Sequence, residues 1–129
     1  MEDAGGALVL VADDEPDVLD LVSSVLAKAG FRSLTAADGD EVVELARRHR
    51  PAAIVLDLMM KAVDGYTTLT RLHGHPLTKD IPVIILTGQA DPRYQTLSAG
   101  VGAVAHVTKP FSPRHFTETV RRVVAGQLS

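Results

Sequence analysis

The feature that most restricts this chain is an alternation. Short, apolar, β-branched runs are separated by stretches of helical periodicity along nearly its whole length. Two parallel strands must be joined by a crossover, usually a helix, so the alternation predicts a parallel sheet with helices on both faces. Strands are expected at residues 7–12, 32–36, 53–56, 83–86 and 104–107. The first, third and fourth runs are almost wholly apolar, as central strands covered on both sides must be; the second is mixed and reads as an edge. Between them Val18, Leu19, Val22, Val25, Leu26 and Ala29 recur at helical spacing and stop at Gly30. Further helices are expected at 40–49, closed by Pro51, and at 65–72, 92–99 and 113–125, the last with Phe116, Val120, Val123 and Val124 on one face. No repeat, low-complexity stretch or linker subdivides the pattern, so residues 1–129 are expected to form one doubly wound α/β domain of five strands.

Composition narrows the function classes. With 46% hydrophobic and 22% charged residues the chain is neither disordered nor a membrane protein by type. No apolar run nears the ~20 residues that span a bilayer, and the first residues are acidic where a secretory signal is basic. A cytoplasmic location is therefore expected, with no membrane partner. The absence of cysteine excludes disulfides, thiolate metal sites and a cysteine nucleophile, so any metal must bind through oxygen or histidine. A net charge of −3 argues against a direct electrostatic grip on nucleic acid.

In open parallel sheets, sites form beyond the carboxyl ends of the strands. There this sequence places Asp13 and Asp14 after the first strand, Asp57 after the third, Thr87 at the end of the fourth, and Lys109 after the fifth. Taken singly, such acids are often helix N-caps and such a lysine is usually solvated. Taken together they put three carboxylates, a hydroxyl and an ammonium on one rim. Three adjacent carboxylates repel unless protons or a cation neutralise them, and a hard divalent ion with oxygen ligands, Mg2+ above all, suits that set.

These residues lie in motifs that resemble the receiver domains of two-component response regulators along nearly the whole chain. The motifs are Val-Ala-Asp-Asp-Glu-Pro from Val11, Leu-Asp-Leu-Met-Met from Leu56, Asp64-Gly65, Leu-Thr-Gly from Leu86 and Thr-Lys-Pro-Phe from Thr108, in the family's order and spacing. The resemblance, to the chemotaxis-regulator type in particular, implies a flavodoxin-like (βα)5 fold. It implies that Asp57 accepts a phosphoryl group from a phosphohistidine kinase, a phosphotransfer protein or a small phosphodonor. It implies that Asp13, Asp14, Asp57 and the Met59 carbonyl hold Mg2+, that Thr87 and Lys109 meet the phosphoryl oxygens, and that Thr87 and the residue at 106 form a switch. By the same resemblance the protein is a signalling module, not an enzyme on external substrates, that acts on a downstream protein or on an output domain beyond this chain.

Three residues or segments depart from the family pattern. Lys61 replaces a common proline, His106 stands where the switch residue is aromatic, and Gly100 and Gly102 follow the segment expected to form the fourth helix. Two other readings compete. A degenerate receiver would bind partners without phosphorylation, although it usually lacks the acids, threonine and lysine kept here. A haloacid-dehalogenase-like phosphohydrolase would need a second aspartate two positions after the nucleophile, where this chain has Met59.

Overall fold

The structure, a computed structural model, describes residues 6–57, 65–88 and 103–126. The elements run β1 (Leu8–Ala12), α1 (Pro16–Lys28), β2 (Arg32–Ala36), α2 (Gly39–His49), β3 (Ala53–Leu56), α3 (Gly65–Gly74), β4 (Val83–Thr87), β5 (Ala103–Thr108) and α4 (Pro113–Val124). The helix expected at 92–99 lies outside the described residues. All strand pairings are parallel, in the order β2-β1-β3-β4-β5. The chain leaves β1 toward one side and returns to add β3 on the other, so strand order reverses between β1 and β3, where the loops part and a site can form.

Alternation along the strands assigns each side chain to a face. Val9, Val11, Val55, Ile84 and Leu86 pack with Val22 and Leu26 of α1 and with Phe116, Val120 and Val123 of α4. Leu10, Ala12, Ile54, Leu56 and Ile85 point the other way, onto Val42 and Ala46 of α2 and Leu69 and Leu72 of α3. The sheet is thus covered on both faces, and β3 is buried at every position. Each fully buried aliphatic side chain contributes about 1.5–3 kcal/mol, which makes these two layers the main source of stability. β2 is the edge its mixed sequence predicted: Arg32 and Thr35 are exposed, and Ala36 alone is fully buried.

Local signals explain the helix ends. Asp38 caps α2 by accepting a hydrogen bond from the Glu41 amide, while Glu41 reaches back to the Ala37 amide. Ser112 caps α4 through the His115 amide, with Pro113 in the first turn. α2 ends on Arg50 in the left-handed region, at φ 44°, a position that glycine usually fills. α3 runs to Gly74, two residues beyond the expected end. The buried Thr78 hydroxyl then donates to the Leu72 carbonyl at 2.6 Å and satisfies one of the helix's last acceptors.

Candidate functional site

Register builds the rim. Ala12 pairs with Leu56, and the Asp57 amide donates to the Ala12 carbonyl at 3.0 Å, so Asp13 and Asp57 leave adjacent strands side by side. Asp13 is 1% exposed and Asp57 4%, unusual for carboxylates unless they are paired. Asp14 is half-buried beside them, and one oxygen from each of Asp13, Asp14 and Asp57 lies within 4.8 Å of the others. Thr87 ends β4 and pairs with Thr108, the residue before Lys109, which puts the fourth and fifth strand ends on the same rim. Met59, Lys61 and Asp64 fall outside the described residues.

Lys109 is the hub. Its Nζ donates to Asp13 Oδ2 at 2.9 Å and to Asp57 Oδ2 at 3.3 Å, and lies 3.8 Å from Glu15 Oε1. Burial pulls the pKa of this ammonium down, but the hydrogen bond to Asp13 and the charges of Asp57 and Asp13 push it up, and the upward effects win. A raised ammonium pKa contributes stability that is fully present below the unfolded-state value and is lost only as pH rises through the folded-state value. Around neutrality the ammonium therefore stays charged and holds the two aspartates together.

Neither Asp13 nor Asp14 is the N-cap of α1. Glu15 holds that position, and Asp13 Oδ1 accepts from the Glu15 amide at 3.0 Å. The acids after β1 thus face the rim instead of closing a helix. Sequence reasoning did not single out Glu15. The one signal in the chain was that glutamate is a weak N-cap residue where aspartate or serine is expected.

His106 lies on β5 opposite Ile85 and is half-buried; burial lowers its pKa below the ordinary histidine value. A histidine with a depressed folded-state pKa contributes stability that is present above the unfolded-state pKa and is lost as pH falls below it toward the folded-state value. Thermal melts from pH 7 down to pH 5 should therefore show a smaller acid loss in His106→Gln than in the parent, and equal slopes would show that burial of the imidazole has no such effect.

A doubly wound parallel sheet whose carboxyl rim carries an acid triad and a lysine defines an α/β regulatory domain of the CheY-like class. The family model described as "Response regulator receiver domain" matches residues 9–121, and the chain belongs to that family. It is a receiver domain of the two-component type, a regulatory module and not a classical enzyme. The chain is 39% identical over 118 residues to the DNA-binding dual master transcriptional regulator RpaA of Synechocystis, covering 90% of this chain and 48% of that protein. It spans about half the length of the curated relatives it matches. Among solved structures it is similar to the Vibrio cholerae chemotaxis protein CheY4, with 32% identity and a TM-score of 0.86 over 91% of this chain and 98% of that one. The receiver domain of a Pseudomonas aeruginosa sensor histidine kinase, 25% identical, matches with a TM-score of 0.86 over 93% of this chain and 98% of that one. That structure has a magnesium ion coordinated in its active site cleft. Among the described residues no helix is long and apolar enough to cross a membrane.

Proposed function

We propose that Asp57 is the phosphoacceptor of this receiver domain. One observation carries the reading: a nearly buried carboxylate at the end of β3, held by the Lys109 ammonium and within ligand distance of Asp13 and Asp14. Asp57 attacks the donor phosphorus in line, a P–O bond forms to its carboxylate, and the bond to the leaving group breaks. Such a transfer needs positioning and neutralisation of charge more than covalent help. Lys109 supplies one positive charge to the phosphoryl oxygens. Thr87, from the end of β4, supplies a hydroxyl to them.

The donor set fits Mg2+: three carboxylates, all oxygen ligands, close together, with one ammonium as the neighbouring cation among the described residues. Asp13, Asp14 and Asp57 would hold the ion, joined by the Met59 carbonyl, which lies outside the described residues. When bound, the ion neutralises charge on the transferred group. The phosphoryl group comes from a histidine kinase, a phosphotransfer protein or a small phosphodonor, and the domain catalyses only its own loading and slow unloading. These reactions belong to the cytoplasm, where such kinases draw on nucleotide triphosphate. Loading then shifts Thr87 and His106, the switch pair, to signal to a downstream protein or output domain. His106 supports this reading by its place: it is half-buried on β5, three residues before Lys109, so a shift of that strand end can reach it.

Intact mass tests the reading. With Mg2+ and a small phosphodonor the protein should gain one phosphoryl group, and should gain none when the metal is chelated. A chain that takes up none with the metal present is no phosphoacceptor, and the degenerate-receiver reading then replaces this one.

A further inference from the structure

One carboxylate on the rim has no task in the phosphoacceptor reading. Glu15 occupies the N-cap of α1 with extended backbone, φ −101° and ψ 113°, yet its side chain makes no capping hydrogen bond. Asp38 and Ser112 do cap α2 and α4. The Glu15 carboxylate instead lies 3.8 Å from Lys109 Nζ, with 66% of its side chain exposed. Asp13 and Asp57 already grip that ammonium at 2.9 and 3.3 Å. Glu15 therefore adds little to where Lys109 sits. What it adds is charge at the mouth of the rim.

A charge count shows the consequence. Among the described residues of the rim, Asp13, Asp14, Asp57 and Glu15 carry four negative charges and Lys109 one positive charge. A divalent cation and Lys109 together neutralise the three aspartates. Glu15 is left over, beside the ammonium that must meet the phosphoryl oxygens.

We propose that the charge of Glu15 sets phosphodonor preference, disfavouring small dianionic donors. The proposal rests on Asp57 being the phosphoacceptor. Glu15 competes with an incoming phosphoryl group for the Lys109 ammonium, and its own charge repels a dianion more than a monoanion. Acetyl phosphate arrives at neutral pH as a dianion. Phosphoramidate arrives with a protonated nitrogen and one net negative charge, so it meets less repulsion. Because Glu15 is exposed, salt must screen the discrimination.

The test compares rates of phosphoryl incorporation from acetyl phosphate and phosphoramidate, with Mg2+, in the parent, Glu15→Gln and Glu15→Asp. At low ionic strength Glu15→Gln should raise the acetyl phosphate to phosphoramidate rate ratio about two- to five-fold, the range of a single exposed ion pair. The difference should shrink toward unity near ~0.5 M salt, where the screening length is only a few ångströms. Glu15→Asp keeps a charge but carries it on a shorter side chain that can cap α1, so its ratio should fall between those of the parent and Glu15→Gln. A titration that involves no transfer gives a second readout: loss of a nearby negative charge should weaken Mg2+ binding in Glu15→Gln about two-fold. Folding is not at issue, since the side chain caps nothing, and melting curves verify it. An unchanged ratio in a protein that loads normally overturns the role of Glu15 alone, as does an equal acceleration with both donors. A parent that loads from neither donor sinks the Asp57 reading, and this proposal with it.

Discussion

Asp57→Asn is expected to reduce phosphoryl incorporation to the detection limit, a loss of at least about 100-fold, while leaving the fold intact. The amide is close in size to the carboxylate and keeps an oxygen that can accept from Lys109, so the packing at the end of β3 has no reason to change. What it lacks is the anionic oxygen that attacks phosphorus. The effect on stability should be small, because the substitution removes one of the carboxylates whose mutual repulsion Lys109 offsets. Intact mass after treatment with Mg2+ and phosphoramidate measures the result in both proteins. The parent's adduct should also be lost in mild base, as an acyl phosphate is, whereas a phosphoserine or phosphothreonine ester is more resistant. An equal gain in mass in Asp57→Asn would move the acceptor to another residue.

How far the sequence foretold this molecule depends on how local each cause is. β1, β3 and β4 were legible because burial on both faces requires unbroken apolar runs, and Val9–Val11, Ile54–Leu56 and Ile84–Leu86 supply them. β2 was legible as an edge because Arg32 and Thr35 need water. β5 is the opposite edge, yet Ala103, Val104 and Ala105 look like core residues; their half-burial follows from what lies next to the strand, which no local pattern encodes. The irregularity between Val83 and Ile84, where β4 pairs with β5, is likewise a matter of pairing and not of propensity. The end of α2 at His49 was legible from Pro51, but the two further residues of α3 were not, since the Thr78 hydroxyl that meets the Leu72 carbonyl lies six residues from that acceptor. At the site, the strand-end acids were visible as a set because strand ends are local features. The ion-pair network was not: Lys109 is 96 residues from Asp13 and 52 from Asp57. Its presence on the rim followed from the fold, but that it would already grip both aspartates did not.

That grip leads to the second large effect. Lys109→Ala should destabilise the metal-free protein by about 2–4 kcal/mol, somewhat less than breaking a fully buried pair, since the ammonium keeps 20% of its side-chain exposure. The loss comes from Asp13 and Asp57, which stay buried and close together with their hydrogen-bonded counterion gone. Urea denaturation measures it as a lower midpoint at an unchanged slope. Added Mg2+ should then recover much of the loss, because an ion that binds only the folded state stabilises it by mass action. In the parent the ammonium competes with the ion for the same carboxylate oxygens, so Mg2+ should bind Lys109→Ala more tightly even though phosphoryl transfer is impaired. Asp14→Ala tests the opposite case: it removes a ligand and leaves the competitor, and should weaken Mg2+ binding about tenfold or more. The two titrations separate the roles of ligand and counterion. If Lys109→Ala is as stable as the parent without metal and binds Mg2+ no more tightly, the ammonium is not the counterion of the acid triad and the charge logic of the rim is wrong.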